Sequence, residues 1–324
     1  YITTNAYLEA EMKREIVVGT RESKLAMWQA RWVVDRLKES CPEYNYRIQG
    51  IRTLGDNILD VALAKIGGKG LFTKELEVAL LGNEIDLAVH SMKDLPTDLP
   101  EGLVIGAVCK REYPGDVLIS REGKRLEELP PGARIGTSSL RRCAQLLGFR
   151  RDLKMVTRRG NLNPRLRKLS EEGLDATVLA FAGVERLGWR ERITQIIPYD
   201  ICLPAVGQGS IGVEVRAGDD EILGLTQRID DHESRCAVSA ERALLTKLEG
   251  GCQIPVGALG TVEQGRLHLR GVVATLDGEW IIRSALQGDL REAEEIGVRL
   301  AKQLVRMGAG EILNQIRLGG GCCR

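Results

Sequence analysis

Lys93 and Asp94, in the stretch HSMKDLP (90–96), set an ammonium and a carboxylate side by side at a turn that Pro96 closes. Such a pair can bind an anion, steady a developing positive charge and move a proton. The preceding IDLAVHS reads as a short buried strand, and the carboxyl ends of strands in parallel α/β sheets are where ligands bind. That location, not the dipeptide itself, separates a functional pair from an ordinary solvated one. A second reactive group is Cys252 in LEGGCQIPVGA (248–258), placed between two glycines and a glutamine beside Pro255. Nothing adjacent reads as its disulfide partner, histidine partner or second metal ligand. The three histidines, His90, His232 and His268, sit in separate segments, and no metal site is expected.

Arginines gather at two further places. In GTSSLRRCAQLLG (136–148), Thr137 and Ser138 are the expected N-caps of a helix whose apolar side is Leu140, Cys143 and Leu147. Arg141 and Arg142 then fall in its first turn, where the helix dipole disfavours cations. An anionic ligand at that helix start would account for them; side chains pointing into water are the bland alternative. VTRRGNLNPRLRKL (156–169) repeats the arrangement, and two such sites favour a carboxylate or phosphate cradle. LAKIGGKGLFTKELE (63–77) is a glycine loop entering a helix, with Lys65 and Lys69 beside it, but it lacks the spacing and hydroxyl of a P-loop. GQGSIG (207–212) spells the dinucleotide fingerprint, yet the alternating strand pattern IGVEVR follows where a helix is required. A crossover turn is the expectation there.

The elements that must position these groups alternate through the first two-thirds of the chain. EIVVGT, YNYRIQGIRT, IDLAVHS, DVLIS, ARIGT, LKMVT and DATVLA read as strands with helical patterns between them, which implies parallel sheets covered on both faces. The first helix, ESKLAMWQARWVVDRLKES, is expected to bury Leu25, Trp28, Trp32 and Val33. After about residue 232 a helix leads into three strand-like stretches and a long helix with Leu290, Ala293, Gly297, Leu300 and Leu304 at helical spacing, a small α+β unit. The closing GGGCCR is expected to be a mobile tail.

With 324 residues, 43% apolar and 28% charged, the chain can bury two or three cores. No apolar run is long enough to span a membrane and no secretory signal is visible, so a cytoplasmic protein is expected. Eight scattered cysteines fit a reducing compartment. Net charge is +1, but Arg134 to Lys168 holds eleven basic residues and one acid, Asp152. That stretch is +10 and the remainder −9, which points to an anionic partner.

Together, GTRESKLA, LAKIGGKGLFTKELE, HSMKDLPT, GTSSLRRCAQL, RRGNLNPRLRKL, LPAVGQG and LEGGCQIPVGA resemble the porphobilinogen deaminase (hydroxymethylbilane synthase) family. All seven occur in the family's order, from about Glu15 to about Gly308, and by them the chain is identified as a member. The resemblance implies two periplasmic-binding-protein-like α/β domains with doubly wound, mainly parallel sheets, and a small C-terminal α+β domain. The expected division is 13–110 with 207–230, then 111–206, then 231–324. It implies a dipyrromethane cofactor held by a thioether on Cys252, which would make the lone thiol an anchor.

The implied reaction condenses four porphobilinogen molecules head to tail with loss of ammonia, then releases the linear tetrapyrrole by hydrolysis. Each ring carries an acetate and a propionate, so a cradle of guanidinium groups, which bind carboxylates bidentately, has a physical reason. By matching position, Arg21, Ser23, Lys93, Ser139, Arg141, Arg142, Arg159, Arg165 and Arg186 would hold carboxylates, with Lys65, Lys69 and Gln208 contributing. Asp94 would be the catalytic carboxylate, facing pyrrole N–H groups and stabilising the cation left as ammonia departs. Asn163, Pro164, Phe181 and Glu185 depart from the family's usual residues without touching a charged position. No metal, membrane or nucleic acid is expected, and the resemblance implies a monomer.

Two other readings use parts of the same pattern. A non-enzymatic carboxylate-binding protein of the same two-lobed fold explains the arginines but neither Asp94 nor the Cys252 loop. Nucleic-acid binding uses the basic stretch, but Phe149 is its only aromatic residue, which is poor for stacking on single strands. Acidic p-dimethylaminobenzaldehyde separates the three, because only a protein carrying dipyrromethane should turn pink.

Overall fold

A computed structural model of the chain describes residues 14–57, 70–157, 173–248 and 254–318. The first part contributes β1 (Glu15–Arg21), α1 (Lys24–Ser40), β2 (Asn45–Ile51), a single helical turn at Leu54–Asn57, α2 (Lys74–Leu81), β3 (Leu87–Ser91) and β4 (Leu103–Val108). The chain then crosses to β5 (Asp116–Ser120), β6 (Arg134–Gly136), α3 (Leu140–Phe149), β7 (Lys154–Val156), β8 (Ala176–Ala180), α4 (Phe181–Arg186) and β9 (Gln195–Ile196). It returns as β10 (Ile211–Arg216), which joins the first sheet between β3 and β4.

The two five-stranded sheets share one plan, β2-β1-β3-β10-β4 and β7-β6-β8-β5-β9. In each, one strand runs against the other four: β10 in the first and β5 in the second. Each reversed strand is the one by which the chain arrives from the other sheet. It therefore starts at the edge where its parallel neighbours end, and both crossovers gather at that edge. GQGSIG lies in the return crossover and leads into β10, as its strand-like sequel predicts. Gly207 and Gly209 there have φ of 71° and 95°, values a side chain rarely adopts.

α1 starts at Ser23, whose hydroxyl oxygen accepts from the Ala26 N–H at 3.3 Å. Its buried residues are Ala26, Gln29, Ala30, Val33, Val34 and Leu37, a face rotated from the expected one. Of the expected stripe, Val33 is buried, Leu25 is half-buried, and Trp28 and Trp32 pack at the core's margin. Small residues let the helix lie close to β1 and β3, and the bulky indoles are left to the flanks. The core beneath it unites Ile16, Val18, Leu87, Val89, Val213 and Val215. Each such side chain contributes roughly 1.5–3 kcal/mol on burial.

After β10, α5 (Asp220–Gln227) packs Ile222 and Leu225 into the first core, and the last part begins with α6 (His232–Lys247). The antiparallel sheet β11 (Val256–Glu263), β12 (Arg266–Ala274), β13 (Ile281–Asp289) follows, then α7 (Ala293–Leu304) and α8 (Gly310–Leu318). α6 and α7 cover one face of that sheet. Gly297 allows their close approach, since a Cβ there would lie 2.2 Å from the Ala240 carbonyl oxygen. The GGGCCR tail lies outside the described residues. No described helix is long and apolar enough to cross a membrane.

Candidate active-site cleft

The chemistry-bearing residues collect where the two sheets present their strand ends. Arg21 closes β1, and Lys93 and Asp94 occupy a 3-10 turn, Met92–Asp94, directly after β3. The return crossover braces that turn, with the Met92 N–H donating to the Ser210 carbonyl at 3.0 Å. Arg21 approaches Asp94 at 4.0 Å (Nη1 to Oδ2) but is held chiefly by Asp56, through Nε at 3.2 Å and a closer Nη2 contact. Phe72 stacks below the Arg21 guanidinium at 4.2 Å. Burial alone would raise the Asp56 carboxyl; Arg21 and the Thr53 hydroxyl outweigh it and hold it below the usual range. Asp94 is not so committed: its side chain is 35% exposed, open to a ligand.

The second sheet supplies the opposite wall. Ser139, rather than Thr137 or Ser138, caps α3, its hydroxyl accepting from the Arg142 N–H at 3.4 Å. Of the apolar face expected for this helix, Cys143 is buried, Leu147 packs against the second core and Leu140 is half-buried, but the buried run also takes in every residue from Arg141 to Leu146. Both arginines lie within the fold, each 5% exposed. Between them stands Asp116, fully buried, accepting from Arg141 Nη1 and Arg142 Nη2 at 2.7 Å each. Burial opposes ionisation of Asp116, but the two guanidiniums prevail and hold its carboxyl well below the usual range. Arg141 Nη1 also reaches the Leu203 carbonyl at 2.6 Å, and Arg142 Nη1 the Val178 carbonyl at 3.0 Å. Arg142 Nε is buried with no partner among the described residues.

Gln208 also belongs to this wall. It is 1% exposed, and its amide donates to the Pro114 carbonyl at 2.7 Å and to Asp116 at 2.9 Å, while its Oε1 is buried unpaired. Arg186, ending α4, donates to the Gly209 carbonyl at 2.6 Å and lies 5.7 Å from the Trp28 ring of the first lobe. Lys93 joins the two walls electrostatically: burial pushes its ammonium down to about 8, Asp94 and Asp116 pull it up, and Arg142 and Arg141 press it down. Burial likewise lowers Arg186, to about 10.

These described groups comprise five cations (Arg21, Lys93, Arg141, Arg142, Arg186) and three acids (Asp56, Asp94, Asp116). Partly desolvated positive charge is left uncompensated, as the depressed Lys93 and Arg186 show. Such a site suits a polycarboxylate, whose anionic groups would restore the balance and take up the unused donors. The donor set therefore fits a dipyrromethane bearing acetates and propionates. Cys252, Arg159, Arg165, Lys65 and Lys69 lie outside the described residues. Cys236 sits 3.8 Å from His232, one helical turn away, but no group of three or more His, Cys, Asp or Glu able to hold a metal occurs among the described residues.

The residue-by-residue reading missed Asp116 and Asp56. An aspartate opening a fully buried strand, DVLIS, is the signal that could have marked the first. It also missed how the third part is fastened. Arg111, on the outgoing crossover, pairs with the fully buried Glu241 of α6 at 2.5 Å, and Glu241 also accepts from the Gly207 and Gly260 N–H groups at 2.7 Å each.

Comparison with known proteins names this arrangement. Residues 16–224 match the family described as porphobilinogen deaminase, dipyromethane cofactor binding domain, and residues 236–306 match its C-terminal domain. The porphobilinogen deaminase of Pelotomaculum thermopropionicum is 70% identical over 306 residues, covering 94% of this chain and 98% of its own. Those of Desulforudis audaxviator and Carboxydothermus hydrogenoformans are 62% and 58% identical, covering 95% and 94% of this chain and 100% and 98% of theirs.

Proposed function

The chain belongs to the porphobilinogen deaminase family; it acts as a hydroxymethylbilane synthase, and we propose that the cleft between its two sheets carries out that reaction. Four porphobilinogen molecules are condensed with loss of ammonia on a dipyrromethane primer, and the linear tetrapyrrole is released by hydrolysis. When bound, the dipyrromethane supplies the end to which the rings add.

The residues divide the work. Asp94, open to the cleft and 4.0 Å from Arg21, would face the ring from which ammonia leaves. Its charge stabilises the positive charge that develops there, and its oxygens accept and return the pyrrole protons. Lys93, Arg141, Arg142, Arg186 and the capping Ser139 orient cofactor carboxylates, while Arg21, Ser23 and Gln208 serve the incoming substrate. Arg159, Arg165, Lys65 and Lys69 extend the same cradle, and Cys252 anchors the cofactor. Two walls of donors fixed before the ligand arrives need little rearrangement to bind it. The five cysteines among the described residues are buried and free, which suits work in the reducing cytoplasm, and we read the enzyme as a monomer there.

The observation that carries this reading is the excess of cations gathered around one open carboxylate. Denaturing mass spectrometry of the purified protein tests it. The expected result is a mass excess equal to two linked pyrrole rings, mapped by peptide analysis to Cys252, in protein that releases ammonia from porphobilinogen. Active protein with an unmodified Cys252 would overturn the assignment.

A further inference from the structure

We propose that Asp116 is a positioning residue for cofactor capture: one buried carboxylate sets both arginines of the cradle and locks them to the return crossover. This rests on the family reading above, and extends it to a residue that contacts neither cofactor nor substrate.

The geometry carries it. Asp116 opens β5, the reversed strand of the second sheet, so its side chain starts at the edge where β6 and β8 end. Its Oδ2 takes Arg141 Nη1 at 2.7 Å; its Oδ1 takes Arg142 Nη2 at 2.7 Å and Gln208 Nε2 at 2.9 Å. Only one nitrogen of each guanidinium is spent on Asp116. Arg142 Nε has no partner, and Arg141 Nε and Nη2 carry no hydrogen bond among the described residues. Arg141 is thus fixed through Nη1 alone and keeps its Nε–Nη2 edge for a carboxylate, whereas Arg142 is held at both Nη atoms, by Asp116 and the Val178 carbonyl, and keeps only Nε.

Charge explains why the holder must be an acid. Arg141 and Arg142 are adjacent, buried, and in the first turn of α3, where the helix dipole adds to their mutual repulsion. Without an anion between them, both would have to wait for the ligand before taking up position. Asp116 offsets one of the two charges in advance and leaves the other for the ligand. Through Gln208 the clamp also reaches the segment whose Gly209 carbonyl holds Arg186. Three proposed cofactor contacts therefore share one buried reference point.

Cofactor capture is the readout. Full-length protein without cofactor, made in cells that produce no porphobilinogen, is titrated with porphobilinogen, and the fraction gaining the two-ring adduct is read from intact mass. Asp116→Glu keeps the charge but displaces both oxygens by a methylene. It is expected to raise the half-saturating porphobilinogen concentration at least tenfold while melting within a few degrees of the parent. Asp116→Asn is expected to capture less than Asp116→Glu at every concentration. Gln208→Leu cuts the tie to the crossover together with the bonds to Pro114 and Gly115, and guards against the case in which both Asp116 variants fail to fold. It is expected to raise the half-point for capture at least threefold and by more than it raises the KM of cofactor-loaded enzyme, whereas a lost substrate contact alone would raise both equally. Parent-like half-points in the folded variants would make Asp116 a purely structural acid and overturn the proposal. A parent that gains no adduct at all would instead overturn the family reading on which it stands.

Discussion

The guanidinium of Arg242, on the helix α6 that runs toward residues 249–253, donates to the Pro96 carbonyl at 2.6 Å, two residues beyond Asp94. It also reaches the carbonyls of Thr97 at 3.1 Å and Leu95 at 3.4 Å. The turn bearing the proposed catalytic carboxylate is thereby latched to the helix that precedes the proposed cofactor anchor. Burial lowers Arg242 below the ordinary arginine range, and the pull of Asp98 and Glu214 only partly offsets it. Hydrogen bonds to a charged group contribute about 1.5–3 kcal/mol each. Arg242→Met, which keeps the apolar length, should lower unfolding free energy by about 2–3 kcal/mol in urea titration and slow turnover. Parent values for both quantities would show that the latch is idle.

Asp94 gives the sharpest chemical comparison. Asn keeps its size and loses the charge; Glu keeps the charge and moves it by a methylene. If the carboxylate stabilises positive charge and moves protons, Asp94→Asn should lose roughly 10²–10⁴ in single-turnover rate and remain folded. Asp94→Glu should retain a measurable fraction. Both variants are compared with cofactor already loaded, so that assembly defects do not enter. An Asn variant as fast as the Glu variant would mean that Asp94 only caps its turn.

Lys93 predicts a pH dependence. Burial lowers its ammonium to about 8, so in cofactor-free protein it loses its charge as pH rises through that value. Cofactor assembly should therefore slow between about pH 7 and 9, and Lys93→Arg, which stays charged, should flatten the profile. Because the charged form is disfavoured by folding, the parent's melting temperature should not fall over the same interval on account of this group. An identical alkaline slope in Lys93→Arg would assign the titration elsewhere.

Asp116 and Asp56 predict the acid limb of stability. Both carboxyls lie below their usual range in the folded protein, Asp116 far below. The stability they contribute is therefore fully present above the unfolded carboxyl value of about 4 and is lost as pH falls below it. Melting temperature should decline steeply from about pH 4 downward. Asp56→Asn should be less stable than the parent at pH 6 and lose less on going to pH 3. Parallel curves would show that Asp56 does not contribute to the acid limb.

Much of this architecture was legible in the chain. Strand and helix periods, the strand after GQGSIG and the three-stranded final sheet depend on local alternation, which a sequence carries directly. The seven ordered motifs, and with them the family, were equally visible. Partner choice was not. The arginines in the first turn of α3 looked like an open anion cradle because the dipole argument sees only their own helix. Asp116 lies twenty-five positions before Arg141, and only the strand order β6-β8-β5 brings it between the two guanidiniums. The same holds for Trp28 and Trp32: a helical stripe fixes which residues share a face, but the distance at which a helix packs on its sheet decides which neighbouring face is buried. Sequence alone determined the kinds of charge and the elements that carry them. The reversed strands, by delivering each crossover to the cleft edge, decided which charges are spent on one another and which remain for a ligand.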